Sequence, residues 1–262
     1  MLNKPNRLIW IGFFCFFISL QAIAQSTGQL KLSTGVQKFA NRDLGFSPLT
    51  YEGYRSISQA TFSLDRPHKT ECYQLGFAYG LLQNRIGNSM NVMSVGFMNQ
   101  TFYHKNNPAE KRLQWGWSNQ NVFNIRRHNG FSNYSLRYDY LSSIGPTARY
   151  MMPFQWKRQE FEWTTMTQVQ VLGFQLKSGY IGADPEGFSK DNSPLDNFFQ
   201  GMEPFLLGRD WHLGFSSSLD WDLPSDNSLG IRYQLDMSSL RGRQNVLGLG
   251  QSLLLVLTVK LW

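Results

Sequence analysis

The stretch Asp210–Met237 reads DWHLGFSSSLDWDLPSDNSLGIRYQLDM, and its pattern decides the fold. Trp211, Leu213, Phe215, Leu219 and Trp221 share one parity, while Asp210, His212, Gly214, Ser216, Ser218 and Asp220 share the other. Leu-Pro-Ser-Asp-Asn-Ser breaks the run at 223–228. The alternation then resumes, with Leu229, Ile231, Tyr233, Leu235 and Met237 set against Gly230, Arg232, Gln234 and Asp236. Period two is the strand signal, because successive side chains point to opposite faces. One face is long, apolar and aromatic near its ends, and the other is polar and charged. That combination suits a strand that crosses a bilayer as part of a barrel.

The start of the chain agrees with export. Lys4 and Arg7 precede an apolar run from Leu8 to Leu20, and Ala22-Ile23-Ala24 supplies small residues for cleavage. A charged start, an apolar middle and an A-x-A end predict a signal peptide over residues 1–24, with the mature chain as one domain over 25–262. Cys15 falls in the discarded part, so the mature chain keeps Cys72 alone and has no internal disulfide. Mean hydropathy is -0.34, yet aromatic residues make up 15% of the chain and recur on one strand face. A barrel with a wet interior hides its membrane character from average hydropathy in this way. The net charge of +7 is scattered over turns and strand ends, which argues against a nucleic-acid partner.

The same period runs through the whole chain, with no helical stretch and no linker. Candidate strands centre on Leu30–Val36, Tyr54–Leu64, Tyr73–Leu81, Met93–Tyr103, Leu113–Ile125, Tyr134–Tyr140, Tyr150–Trp156, Phe161–Val171, Trp211–Trp221, Leu229–Met237 and Leu253–Leu261. Ser142–Pro146 and His128-Asn129-Gly130 read as turns. A bulge is expected near Val122, Phe123 and Ile125, a bulge or local break at Pro153 and a parity shift at Gly173. Residues 179–208 form the longest irregular segment, and Phe198, Phe199, Met202, Phe205 and Leu206 predict that it packs on or into the barrel. Eleven candidates cannot close an even-numbered barrel, so twelve strands is the first expectation and ten the second. The predicted class is all-β, a transmembrane antiparallel up-and-down barrel.

The leader ending Ala22-Ile23-Ala24, the aromatic-ended strands and the terminal Trp262 together resemble outer-membrane β-barrel proteins of Gram-negative bacteria. The resemblance is to that broad class and picks out no subfamily. It implies residence in the cell outer membrane, contact with outer-membrane lipids, handling by the barrel-assembly machinery and room for an outer-membrane protein partner. The last strand departs from the class pattern. Leu253, Leu255, Leu257, Val259 and Leu261 form its cleaner apolar face, while Trp262 shares parity with Lys260, and Leu254 and Val256 make the inner face apolar too. Either Trp262 turns to the interface or that inner face packs against a plug.

Arg137, Asp139, Arg149, Glu160, Glu162, Asp210, His212, Arg232 and Asp236 all fall on inward parity. Facing lipid, an Arg near the midplane would cost roughly 2–4 kcal/mol, so these residues are assigned to the lumen, as a cross-barrel network or a charged constriction. Asp210 lies two residues from His212 on the same face, within reach of it. The expected function is non-enzymatic: a narrow pore, or a structural or accessory subunit of an outer-membrane assembly. A membrane lipid-active hydrolase or acyltransferase is the alternative. His128-Asn129-Gly130-Phe131-Ser132-Asn133 carries the residue types of outer-membrane phospholipases, but their order and spacing differ from that family's. No spacing of His and Cys suggests a metal, and no motif suggests a cofactor.

Overall fold

The structure is a computed structural model that describes residues 27–45, 47–104, 112–128, 130, 136–177, 196, 201–241 and 245–261. The expected leader, Asn129 and 131–135 of the His128 turn, Trp262 and most of 179–208 lie outside them.

Twelve strands follow in chain order: β1 Thr27–Asp43, β2 Thr50–Arg66, β3 Lys69–Gln83, β4 Ser89–Tyr103, β5 Leu113–His128 and β6 Leu136–Trp156. After these come β7 Gln159–Gln170, β8 Leu172–Lys177, β9 Met202–Leu206, β10 Trp211–Asp222, β11 Ser228–Arg241 and β12 Asn245–Lys260. All pairings are antiparallel, and β12 returns to β1 from Gln29↔Lys260 to Asp43↔Val246. β10 pairs with both β7 and β11, so ten strands close the barrel and β8 and β9 extend its wall. Closure leaves no free edge around the ten-stranded barrel, and only β9, paired with β8 alone, keeps one among the described residues. This is the fold of the Gram-negative outer-membrane barrels, with antiparallel strands, an even number around the barrel and both described chain ends on one rim.

Two strands are longer than they first look. Thr147 pairs with Gln168 and Ile144 with Leu172, so Gly145 and Pro146 face Val169, Gln170 and Val171. The extra residue makes a bulge between β7 and β8, and the Val171 amide still donates to Ile144 O at 3.0 Å. Pro146 has no amide hydrogen, which is why the ladder skips here. The parity shift expected at Gly173 is this bulge, two residues earlier. At the other joint, Leu207–Asp210 separates β9 from β10, and Asp210 Oδ1 accepts the Arg241 amide at 2.6 Å.

The structure corrects four local readings. Ser142–Pro146 is not a turn, because β6 runs unbroken through it as a 21-residue strand. The candidates before and after it are therefore one strand, and the count of eleven falls to the ten that close the barrel. β5 keeps one register against both neighbours through Val122–Ile125, with no bulge. Val122 had suggested one only because it is an apolar residue on the inner face. Pro153 breaks nothing, since it pairs in register with Glu162 of β7 and its missing amide hydrogen falls on the side where the described part of β5 has ended at the Leu113↔Tyr150 pair. Met202–Leu206 belongs to a strand rather than to a loop spanning 179–208.

The outer surface is apolar. Leu255 is 67% exposed, Trp115 62% and Trp156 61%, and Leu75, Phe77, Phe97, Ile231 and Leu253 are exposed on the same side of their strands. Soluble monomers do not expose a belt of this kind, and a bilayer is the solvent that suits it. Short turns and both described chain ends share one rim, while the long 178–201 connection leaves from the other.

Candidate functional site: a filled lumen

Inward residues form three layers. The layer near the long-loop rim is packed. Tyr51, Leu82, Met90 and Val92 make one buried apolar cluster against Phe39, and Leu141, Phe205, Leu240 and Val246 make another. Four charges join the strands at this level. Asp43 Oδ2 lies 3.0 Å from Arg126 Nη1 and 3.0 Å from Arg137 Nε, and Arg126 Nη1 lies 2.5 Å from Asp139 Oδ1. All four side chains are buried. Asn124 Nδ2 donates to Asp139 Oδ2 at 2.7 Å, and Asp43 Oδ1 accepts the Gly45 amide at 3.1 Å. Two cations and two anions meet here beside Lys177, with hydrogen bonds on Asp43 Oδ1 and Asp139 Oδ2, while Arg126 Nε has no hydrogen-bond partner among the described residues.

His128 also belongs to this layer. The Gly130 amide donates to Nδ1 at 3.0 Å, so Nε2 carries the proton of the neutral ring and donates to the Tyr51 hydroxyl at 2.9 Å. The rings meet edge-on with centroids 5.7 Å apart. This imidazole joins β2 to the end of β5, and its chemistry is that of a strut.

The middle layer is hollow because its inward residues are small. Gly76 faces Gly96, Ala78 faces Ser94, and Gly214 and Ser216 lie on β10. They surround a cavity of ≈ 310 Å³ with polar side chains along it. Arg55 donates through Nε to Gln37 Oε1 at 3.0 Å and through Nη1 to Ser94 Oγ at 2.9 Å, with its guanidinium 3.7 Å above the Phe39 ring centre. Gln59 and Gln234 exchange amide bonds at 3.0 and 3.3 Å across the barrel. His212 Nε2 sits 4.0 Å from Asp236 Oδ1. On one side the wall is apolar, where Leu254 packs with Ile57 and Ala78. The apolar inner face of the last strand is thus accounted for by neighbouring strands.

The third layer lies toward the rim of the chain ends. Lys31 Nζ pairs with Asp220 Oδ2 at 3.5 Å, and Arg232 lies in the wall of the cavity above them. Arg149 holds Gln114 Oε1 through Nε at 3.1 Å and Nη2 at 2.5 Å, and its guanidinium stacks 4.3 Å from the Phe102 ring centre. Phe102 and Gln114 are buried, so this end is packed as well. Cys72 is buried on the inner face, within 3.4 Å of Ser63 Oγ.

Of the nine residues singled out from the sequence, Arg137 and Asp139 meet in the upper ion-pair layer, while His212 and Asp236 meet in the middle one. Arg149 is inward but partners an amide and a ring instead of an acid. Glu162 is half-buried and accepts from Thr164 Oγ1 at 3.2 Å, and Glu160 is exposed at the rim, with no ion pair among the described residues. Asp210 does not serve His212. It is fully buried at the β9–β10 joint, where it holds the Arg241 amide and the Arg209 Nε at 2.8 Å. Sequence reasoning missed Asp43, Arg126, Arg55, Lys31 and Asp220. Asp220 carried a legible signal, its polar parity opposite Trp221. Asp43 lies between the candidate strands centred on Leu30–Val36 and Tyr54–Leu64, where no parity was assigned.

No protein-family model matches the chain, and no curated protein matches it. Among solved structures it is similar to the translocator domain of the autotransporter NalP from Neisseria meningitidis, at 8% identity and TM-score 0.38 over 97% of this chain and 96% of that one. It is also similar to the deletion mutant deltaS2S3 of the monoaromatic hydrocarbon channel TodX, whose parent is a P. putida toluene transporter, at 7% and 0.37 over 92% of each chain. A third is Ail, the attachment invasion locus protein of Yersinia pestis, at 8% and 0.32 over 88% of this chain and 99% of that one. Likeness at this level carries no functional argument.

Proposed function

We propose that this chain is an outer-membrane barrel without a diffusion path, acting as a structural or accessory subunit of an outer-membrane assembly. The observation that supports this most is the buried Asp43–Arg126–Arg137–Asp139 layer, which joins β1, β5 and β6 across the lumen beside two apolar clusters. A pore that conducts by water-filled passage presents polar walls to solvent, and its charges stay hydrated. Here they face one another. On this reading the leader over 1–24 is cleaved on export, the barrel-assembly machinery inserts the chain, and outer-membrane lipids cover its belt. The function then resides in what the outer wall and the long-loop rim contact. Purified protein in planar bilayers tests the reading: no steady conductance is expected, and stable single-channel steps from the unmodified protein would overturn it.

A further inference from the structure

The apolar belt has more than one polar interruption: exposed Lys38 and Gln251 are cross-strand partners on β1 and β12, and an uncharged patch of amides lies on β4 and β5. Asn99 on β4 and Asn119 on β5 are direct cross-strand partners, and Asn121 lies one step further along β5, opposite Ser142 of β6. All three asparagines point outward, since they share parity with exposed Phe97, Trp117 and Phe123, while Gln100, Gln114 and Ser118 on the opposite parity are buried. Asn119 and Asn121 are central in β5, and Asn99 lies four residues before the end of β4. On β5, Trp115 and Trp117 precede them and Phe123 and Ile125 follow; on β4, Val95 and Phe97 lie on one side of Asn99 and Tyr103 on the other. This places the three amides within the apolar belt.

Their bonding is incomplete. Asn121 Nδ2 donates to Asn119 Oδ1 at 2.7 Å, and the Tyr140 hydroxyl donates to Asn121 Oδ1 at 2.8 Å. Among the described residues, the Asn119 amide hydrogens and the whole Asn99 amide make no side-chain hydrogen bond. Lipid tails offer neither donor nor acceptor, so amides left this way are unfavourable against lipid. Some outward hydroxyls elsewhere find partners within the wall, as Thr34 does with Ser58 and Ser217 does with Trp163, while Thr165 Oγ1 has none among the described residues.

We infer that the β4–β5–β6 face is the interface of a homodimer in the membrane. The inference rests on the reading of the chain as a membrane barrel. An amide carries both donor and acceptor, so the patch is its own complement, and it holds no charge that would need an opposite one. Two copies inserted in the same direction are related by a two-fold axis along the membrane normal. Each residue then meets its counterpart region at equal depth, and the unsatisfied amides of Asn99 and Asn119 face those of the second copy. A different partner would have to supply polar groups at the same depth. Phe97, Trp117, Phe123 and Ile144 surround the amides with apolar contact that excludes lipid, as a ring around a polar centre does in protein interfaces.

The test uses the full-length protein in native membranes, with Cys72→Ser removing the inward thiol. Asn119→Cys is expected to give a disulfide-linked dimer on mild oxidation. Leu255→Cys, outward on the opposite wall, is expected to give none. Asn99→Leu with Asn119→Leu should weaken dimerisation roughly five- to tenfold in detergent, since each lost side-chain hydrogen bond in a membrane is worth about a factor of three. Equal crosslinking at both positions, or none at Asn119→Cys in a protein that resists alkaline extraction, would overturn the dimer, as would a crosslinked product of different mass. Release of the unmodified protein by alkaline extraction would instead overturn the membrane reading itself.

Discussion

Asp43→Asn is the sharpest probe of the closed lumen. The change keeps size and one acceptor oxygen but removes the carboxylate that Arg126 and Arg137 share at 3.0 Å each. Side-chain exposures of 3%, 4% and 2% for Asp43, Arg126 and Arg137 mean that water does not take over its role. At an effective dielectric constant of about 20, each contact is worth about 5–6 kcal/mol of gross Coulomb energy, most of which offsets the desolvation of the charges. What remains visible is the cost of leaving a guanidinium unpaired, about 3–5 kcal/mol when one partner of a buried pair is removed. Asp139 still holds Arg126, and the asparagine oxygen still accepts, so the expected loss lies near 3 kcal/mol. The assay is equilibrium urea unfolding of the refolded barrel in phospholipid vesicles, with Asp43→Asn combined with Arg137→Met as the fourth corner of a double-mutant cycle. The double variant should recover most of the loss, because it removes the stranded charge. A loss below about 1 kcal/mol, the worth of an exposed pair, would refute the buried layer and reopen the lumen to water.

Phe205→Ala should cost about 3–5 kcal/mol in the same assay, because the ring is fully buried against Leu141, Leu240 and Val246; little change would mean that the end of the long connection is not anchored. Lys157 and Arg158 form a two-residue hairpin with both φ angles positive, at 50° and 66°. Replacing them with Asn-Gly should raise stability by about 1–2 kcal/mol, since the left-handed conformation costs about that much for ordinary side chains. Leu255→Arg should destabilise by about 2–4 kcal/mol and Leu113→Arg, at the strand end, by about 0–1 kcal/mol; equal costs would contradict a bilayer centred on the belt.

The class of fold was legible because alternation survives in nearly every strand, and lipid on one face with a filled lumen on the other sharpens it. The strand count was not, because Gly145-Pro146 carries the composition of a turn while serving as one side of a bulge. Sequence gives the preference of two residues, and the structure adds the neighbouring strand that tolerates the missing hydrogen bond. The site was half legible for a similar reason. Parity places Arg137 and Asp139 inward correctly but gives no depth around a tilted barrel, and depth decides who meets whom. Asp43 and Arg126 lie far apart in sequence and have no shared motif, yet they form one ion pair. Glu160 has the right parity but lies at the rim, where the lumen is already solvent.

The lumen also bears on whether this barrel could open unaided. A water path through the long-loop end would hydrate Tyr51, Leu82, Met90 and Val92 on one side and Leu141, Phe205, Leu240 and Val246 on the other. Side chains of this kind cost about 1.5–3 kcal/mol each to expose, so hydrating even one cluster costs roughly 6–12 kcal/mol before any ion pair is disturbed. By that reckoning an open state through one cluster alone would be populated at about one part in ten thousand at most, since every 1.4 kcal/mol is a factor of ten. Side-chain fluctuation is therefore no gate. Any opening would require a partner that binds the open form more tightly by a comparable free energy, which only an extensive contact could supply. The closed interior and the polar face on the outer wall both support the proposal that this barrel acts through what it binds in the plane of the membrane.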